Sequence, residues 1–140
     1  MRRITTAVAA LVLALAALVA GPGVAQAAAH HHNTLPYDVG CGGNLFVLSR
    51  HNIAGGTASL VYSRTCGTNW IEWYGPAVRT FKYISVNGNS TAPEVDYTRW
   101  AYSRQVYAPG NTPTTAYISV NSQEGWVANC ASSCSWERAW

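Results

Sequence analysis

The stretch Ala58 to Gly75, ASLVYSRTCGTNWIEWYG, decides the fold. Thr57 to Ser63 alternates, with Ala58, Leu60 and Tyr62 on one side and Thr57, Ser59, Val61 and Ser63 on the other. Period-two alternation of β-branched and aromatic residues is the pattern of a half-buried strand. Arg64 to Thr68 is polar, carries Gly67 and turns the chain. Asn69 to Tyr74 reads as a second strand, with Trp70, Glu72 and Tyr74 on one face and Ile71 and Trp73 on the other. Large side chains on both faces predict that each face meets something. Cys66 stands in the corner, where a disulfide would pin the hairpin to another segment.

The same pattern repeats on either side of this hairpin. Cys41-Gly42-Gly43 is a turn, Asn44 to Arg50 a short apolar strand, and the diglycine of Ile53 to Thr57 leads into the hairpin. Gly75-Pro76 breaks the chain. Val78 to Val86 then sets Val78, Thr80, Lys82 and Ile84 against Arg79, Phe81, Tyr83 and Ser85. Asn87-Gly88 is the strongest turn signal, because both residues accept positive φ. Glu94 to Tyr102 alternates as one further strand, and Gln105 to Ala108 is a short extended piece. Beyond the loop at Pro109 to Pro113, Thr114 to Val120 is another strand, and Trp126 to Asn129 leads into CASSC. Six to eight short strands between Gly, Pro and Asn turns predict an all-β domain. The expected form is a small disulfide-stapled β-sandwich or a partly open barrel of antiparallel strands.

Residues 1–27 read as a signal peptide. Arg2 and Arg3 precede an apolar run, Ala7 to Ala20, and Ala25-Gln26-Ala27 is a small-x-small cleavage site. The run is short for a membrane span and no stop-transfer pattern follows, so no span is expected after cleavage. Residues 28–40 are expected to be an extended N-terminal arm and 41–140 a single β domain. Without Arg2 and Arg3, the nine basic residues fall to seven against six acidic ones, a balance that gives nucleic-acid binding no support.

Four cysteines in an exported chain predict two disulfides and a secreted, extracellular location. Three pairings are possible. Cys41 with Cys66 and Cys130 with Cys134 is the expected one: Cys41 precedes one strand and Cys66 follows another, while Cys130 and Cys134 close a small loop. Their spacing does not suit a paired Cys-x-x-Cys zinc site.

The chemistry of catalysis is missing from the sequence. There is no Gly-x-Ser-x-Gly elbow and no HExxH, and oxidised cysteines offer no thiolate. His51, expected between a strand and a turn, is the one histidine outside the arm. A carboxylate pair for glycoside hydrolysis would come from Glu72, Glu94, Asp96, Glu124 or Glu137. Glu94 and Asp96 share a strand face roughly 7 Å apart, a separation common on solvated faces. No catalytic residue, cofactor or metal is expected. His30, His31 and His32 are adjacent, and neighbours in an extended chain point apart.

What remains is aromatic surface. Six tryptophans, eight tyrosines and two phenylalanines all follow residue 27. Tyr62, Trp70, Phe81 and Tyr83 are expected in the core, and Trp100, Trp136 and Trp140 at the surface. Exposed Trp and Tyr anchor protein interfaces or form carbohydrate platforms. In the arm, Leu35, Tyr37 and Val39 alternate, so that it can add a strand to a partner or to its own sheet.

The run LVYSRTCGTNW, with the later WAYSRQVYAP, resembles a family of small exported actinobacterial proteins, the domain of unknown function number 2690. The matching positions are Tyr62, Ser63, Cys66, Thr68, Asn69 and Trp70, then Val106 to Pro109, with Cys41 where the partner cysteine belongs. The likeness covers Val39 to Val120 and leaves out the C-terminal CASSCSWERAW. It implies export and a disulfide-bonded β domain with no known activity. In size, export and arm, the chain is also similar to the small adaptor subunit of secreted umbrella-shaped toxin particles. The expectation is a secreted, non-enzymatic adaptor. It would meet other secreted proteins of one assembly through Leu35, Tyr37, Val39, Trp100, Trp136 and Trp140. The alternative is a cell-wall or carbohydrate-binding module.

Overall fold

A computed structural model describes residues 30–140, and the expected signal peptide lies outside the described residues. The described chain is all-β, with eleven strands in two antiparallel sheets. The organising hairpin is β2 (Gly56–Ser63) and β3 (Thr68–Tyr74), paired from Thr57↔Tyr74 to Ser63↔Thr68. β1 (Leu45–Ile53) flanks β2, while β7 (Trp100–Tyr102) and the two-residue β8 (Val106–Tyr107) both pair with β3. These strands form sheet 1. Sheet 2 runs β11 (Cys134–Arg138), β10 (Glu124–Cys130), β9 (Thr114–Val120), β4 (Thr80–Val86), with β5 (Asn89–Ser90) and β6 (Glu94–Asp96) both on the outer side of β4.

The sheets pack face to face as an open sandwich. Leu60, Ile71 and Trp73 of sheet 1 meet Ile84, Ile118 and Val120 of sheet 2 in one core. The cysteines pair as expected, Cys41 with Cys66 and Cys130 with Cys134. The Asn87-Gly88 turn takes φ values of 50° and 78°, the positive region this pair tolerates.

Several expectations need correction. The strand count is higher because the segment Glu94 to Tyr102 divides into β6 and β7, and because the two-residue β5 and the C-terminal β11 add to sheet 2. Glu94 to Tyr102 is not one strand. The chain bends at 97–99 and crosses between sheets, so Glu94–Asp96 pairs with β4 and Trp100–Tyr102 with β3. The C-terminal segment, to which the sequence reading assigns no strand beyond Asn129, adds β11 to sheet 2. His51 sits within β1, not between strand and turn.

Of the four aromatics expected in the core, Trp70 alone is fully buried. Phe81 and Tyr83 lie on the outer face of β4, since Thr80, Lys82, Ile84 and Val86 take the inner face. Tyr62 is half-buried: it shares the inner face of β2 with Ala58 and Leu60 but sits near the strand's end, where the core thins out. The arm is not extended either. Residues 30–43 form successive turns folded back over sheet 1. Asn33 N donates to Gln105 O at 2.8 Å, Gln105 N to Thr34 O at 3.0 Å, and Cys41 N to Pro36 O at 2.8 Å. This segment is what buries Trp70 on an otherwise outward-facing position.

Candidate functional site

The outer face of sheet 1 carries the densest group of rings. β3 supplies Trp70, Glu72 and Tyr74, and β7 supplies Trp100 and Tyr102 as the direct partners of Tyr74 and Glu72. The folded arm lowers Tyr37 among them. Its ring packs edge-on against Trp70 at 5.9 Å, Trp100 at 4.9 Å and Tyr102 at 4.8 Å. T-shaped contacts of this kind set the positive edge of one ring against the negative face of another.

Glu72 organises the cluster from within. Its Oε1 accepts a hydrogen bond from the Tyr37 hydroxyl and a second from Trp70 Nε1 at 2.8 Å. Burial, reinforced by the Glu72 carboxylate, pushes the Tyr37 phenol well above the usual tyrosine range. Burial also raises Tyr102, with Asp38 and Asp96 adding to it.

A phenol held above its unfolded pKa stabilises the fold fully below that value, about pH 10, and loses this contribution as pH rises towards the folded pKa. Tyr37→Phe should therefore lower stability by about 1.5 kcal/mol at neutral pH, where a hydrogen bond to a carboxylate is lost. Above pH 10 the wild-type curve should descend towards the variant's by about 1.4 kcal/mol per pH unit. Denaturant titrations at stepped alkaline pH check this, and parallel curves would refute the assignment.

The rim of the cluster is open to solvent. Tyr74 is 66% exposed and Trp100, its direct partner on β7, is 46% exposed. Beside them is a cleft of about 290 Å³ lined by Leu35, Glu94, Asp96, Thr98, Trp100 and Tyr102. The crossover at 97–99 creates it, setting two carboxylates of sheet 2 beside two rings of sheet 1. Both carboxylates are engaged: Glu94 Oε1 meets Arg104 Nε at 2.6 Å, and Asp96 pairs with Lys82. A broader groove of about 950 Å³, lined by residues 52–57 and 74–77 with Arg99, adjoins the same face through Tyr74.

The expected contact residues divide. Leu35 and Tyr37 are half-buried in the arm, Val39 is exposed beside them, and Trp100 completes that face. Trp140, 58% exposed, lies on the opposite side of the molecule over the outer face of sheet 2. It packs against Tyr117 and across Gly125, where any Cβ would stand 2.7 Å from its ring, so only glycine admits this seat. Trp136 is not a surface anchor. It packs against the core, and its Nε1 donates to Ser49 Oγ at 2.9 Å.

Sequence reading missed two groups. Phe81, Tyr83, Tyr117 and Trp140 form a strip across sheet 2, with Tyr83 and Tyr117 stacked at 5.1 Å. The alternation of Val78 to Val86 held half of that signal but did not say which face points outward. His51 lies between Trp126 at 4.0 Å and Trp136 at 5.2 Å, bridging the edges of the two sheets. No sequence signal joins these residues, because they come from strands more than seventy positions apart.

His31 and the Sγ atoms of Cys41 and Cys66 lie within 4.8 Å of one another, yet both sulfurs are committed to their disulfide. Among the described residues, no helix is long and apolar enough to cross a membrane. Searches of protein-family models, curated proteins and solved structures find no match to this chain.

Proposed function

We propose that the chain is a secreted, non-enzymatic adaptor that docks a protein partner in an extracellular assembly through the aromatic face of sheet 1. The observation that carries this reading is the ring cluster around Glu72. Tyr37, Trp70 and Tyr102 hold a rigid base beneath the exposed Tyr74 and Trp100. Interface hot spots are enriched in Trp and Tyr because such rings offer large contact area at low entropic cost. The carboxylates of the adjoining cleft are each tied to a cation of the chain itself, so neither stands free to act on a bound substrate. Two disulfides suit an oxidising, extracellular setting. The likeness to exported actinobacterial proteins and to the umbrella-particle adaptor points the same way. In this reading the arm contributes Leu35, Tyr37 and Val39 in its folded form, as part of the docking face.

Trp100→Ala tests it. Trp100 stands at the centre of the face and is largely outside the core, so its loss should spare the melting temperature. It should weaken partner capture from culture supernatant by about thirtyfold, the effect of losing one hot spot of about 2 kcal/mol. A wild-type chain that purifies as a solitary monomer, or a variant that captures the same partner equally well, would count against the adaptor.

The strip on sheet 2 favours a second reading, a cell-wall glycan module. Stacked Tyr83 and Tyr117, exposed Trp140 and the adjacent Ser85 and Thr115 combine ring faces with hydroxyl groups, as sugar recognition requires. Retention on insoluble cell wall that Trp140→Ala abolishes and Trp100→Ala leaves intact would select this reading.

A further inference from the structure

Lys82 is the only lysine in the chain, and its side chain is wholly buried on the inner face of β4. Along its strand face it is flanked by Thr80 and Ile84, and across the sheet by Ile118 of β9. A lysine in such a place is unusual, because a fully desolvated ammonium is costly and an aliphatic residue of similar volume would often serve stability as well. Two carboxylates of β6 share its face of the sheet. Asp96 contacts Nζ directly, and Glu94 is the direct cross-strand partner of Lys82. Thr80 Oγ1 accepts a hydrogen bond from Nζ at 3.2 Å and helps to fix its position.

We propose that Lys82 and Asp96 close into an intramolecular amide, a covalent staple between β4 and β6 formed by the folded chain itself. The constellation supplies what the reaction needs: a buried nucleophilic nitrogen in direct contact with a carboxyl group, and a second carboxylate on the neighbouring position of the same strand face. Burial lowers the pKa of the Lys82 ammonium, which favours the neutral amine.

The step balances without any co-reactant. Within the contact the Lys82 ammonium passes a proton to the Asp96 carboxylate; the neutral Nζ then attacks Cγ, and the Glu94 carboxylate takes a proton from the nitrogen. Glu94 then returns that proton to the departing hydroxyl. One C–N bond forms, one C–O bond breaks, and one water leaves. Glu94 is itself held by Arg104, whose guanidinium lies 2.6 Å from its Oε1. The product replaces a buried ion pair with a neutral amide, and the cost of holding an ammonium in the core disappears. It also ties down β6, a three-residue strand that pairs with β4 alone. The proposal stands apart from the docking reading and does not depend on it.

Mass spectrometry of the full secreted chain, reduced and alkylated, tests the staple. The mass should fall one water short of the sequence. Trypsin should leave the Lys82–Tyr83 bond uncut and release Thr80 to Arg99 as a single internally linked peptide. Glu94→Gln, which keeps the size and polarity of the side chain, should restore both the water and the cut. So should Asp96→Ala, which removes the acyl carbon, under conditions where the folded state is verified by circular dichroism. A wild-type chain at full mass, cleaved normally after Lys82, overturns the staple. A Glu94→Gln chain that is still linked to the wild-type extent overturns the role given to Glu94.

Discussion

Trp73→Ala should lower the unfolding free energy by about 3 to 5 kcal/mol, the usual cost of emptying a buried aromatic site. Trp73 is 0% exposed and faces the second sheet from the C-terminal end of β3. Its neighbours explain why the site should not heal. Across the ladder it stands between Ala58 of β2 and Ala101 of β7, two small buried residues that make room for the indole. Neither has a side chain long enough to fill the space if the ring is removed. The indole also closes one end of the core, with Nε1 directed to Pro76 O at 3.4 Å. For a domain near 110 residues, whose total stability is on the order of 5 to 15 kcal/mol, this is a large fraction. The melting temperature should fall by roughly 15 °C or more. A thermal melt followed by far-ultraviolet circular dichroism measures it, and a fall of only a few degrees would mean that the sheets repack around alanine.

Removing the Cys41–Cys66 disulfide as a Cys41→Ala, Cys66→Ala pair should be comparably severe. The bridge spans 25 positions, and loop-closure entropy alone puts its loss at about 3.5 kcal/mol. The Cys130–Cys134 bridge spans 4 positions, and the same relation gives about 2 kcal/mol. The order of the two effects is therefore fixed by loop length. A second consequence separates the larger bridge from a generic staple. Cys41 ends the folded arm and Cys66 sits at the β2–β3 corner, so the bridge holds Tyr37 over Trp70 and Glu72. With it gone, the Tyr37 phenol should titrate closer to its ordinary value, near pH 10. Tyrosinate absorbance across an alkaline titration reads this directly. A variant that loses stability yet leaves the Tyr37 titration unmoved would show that the arm is held by its backbone bonds to Gln105 rather than by the disulfide.

The candidate site was legible only in part. Trp100 could be picked out because charges flank it, and it is indeed exposed. Tyr37 could be picked out from the alternation of the arm, but not for the role it has. An isolated tyrosine signals nothing about a carboxylate thirty-five positions away. Trp136 looked like Trp140 in sequence, since both sit near the C-terminus. They part because β11 adds to sheet 2 and turns Trp136 inward towards Ser49 and His51, whereas Trp140 lies past the strand's end on the outer face.

The chain by itself determined the all-β class, the central hairpin and the expectation of two disulfides, whose pairing among three possibilities the fold settles. Each of these follows from local periodicity, turn chemistry or cysteine count. Tertiary structure alone decided which face of each strand turns inward. Alternation shows that β4 has two faces, but the choice to bury Lys82 and expose Phe81 and Tyr83 depends on what the opposite sheet presents. The same holds for Glu94 to Tyr102, where the local pattern is one continuous strand and only competition between two sheets for hydrogen-bond partners divides it. That division places Trp100 beside Asp96 and makes the cleft. Contacts between distant strands are set by the global packing optimum, and no window of neighbouring residues contains that information.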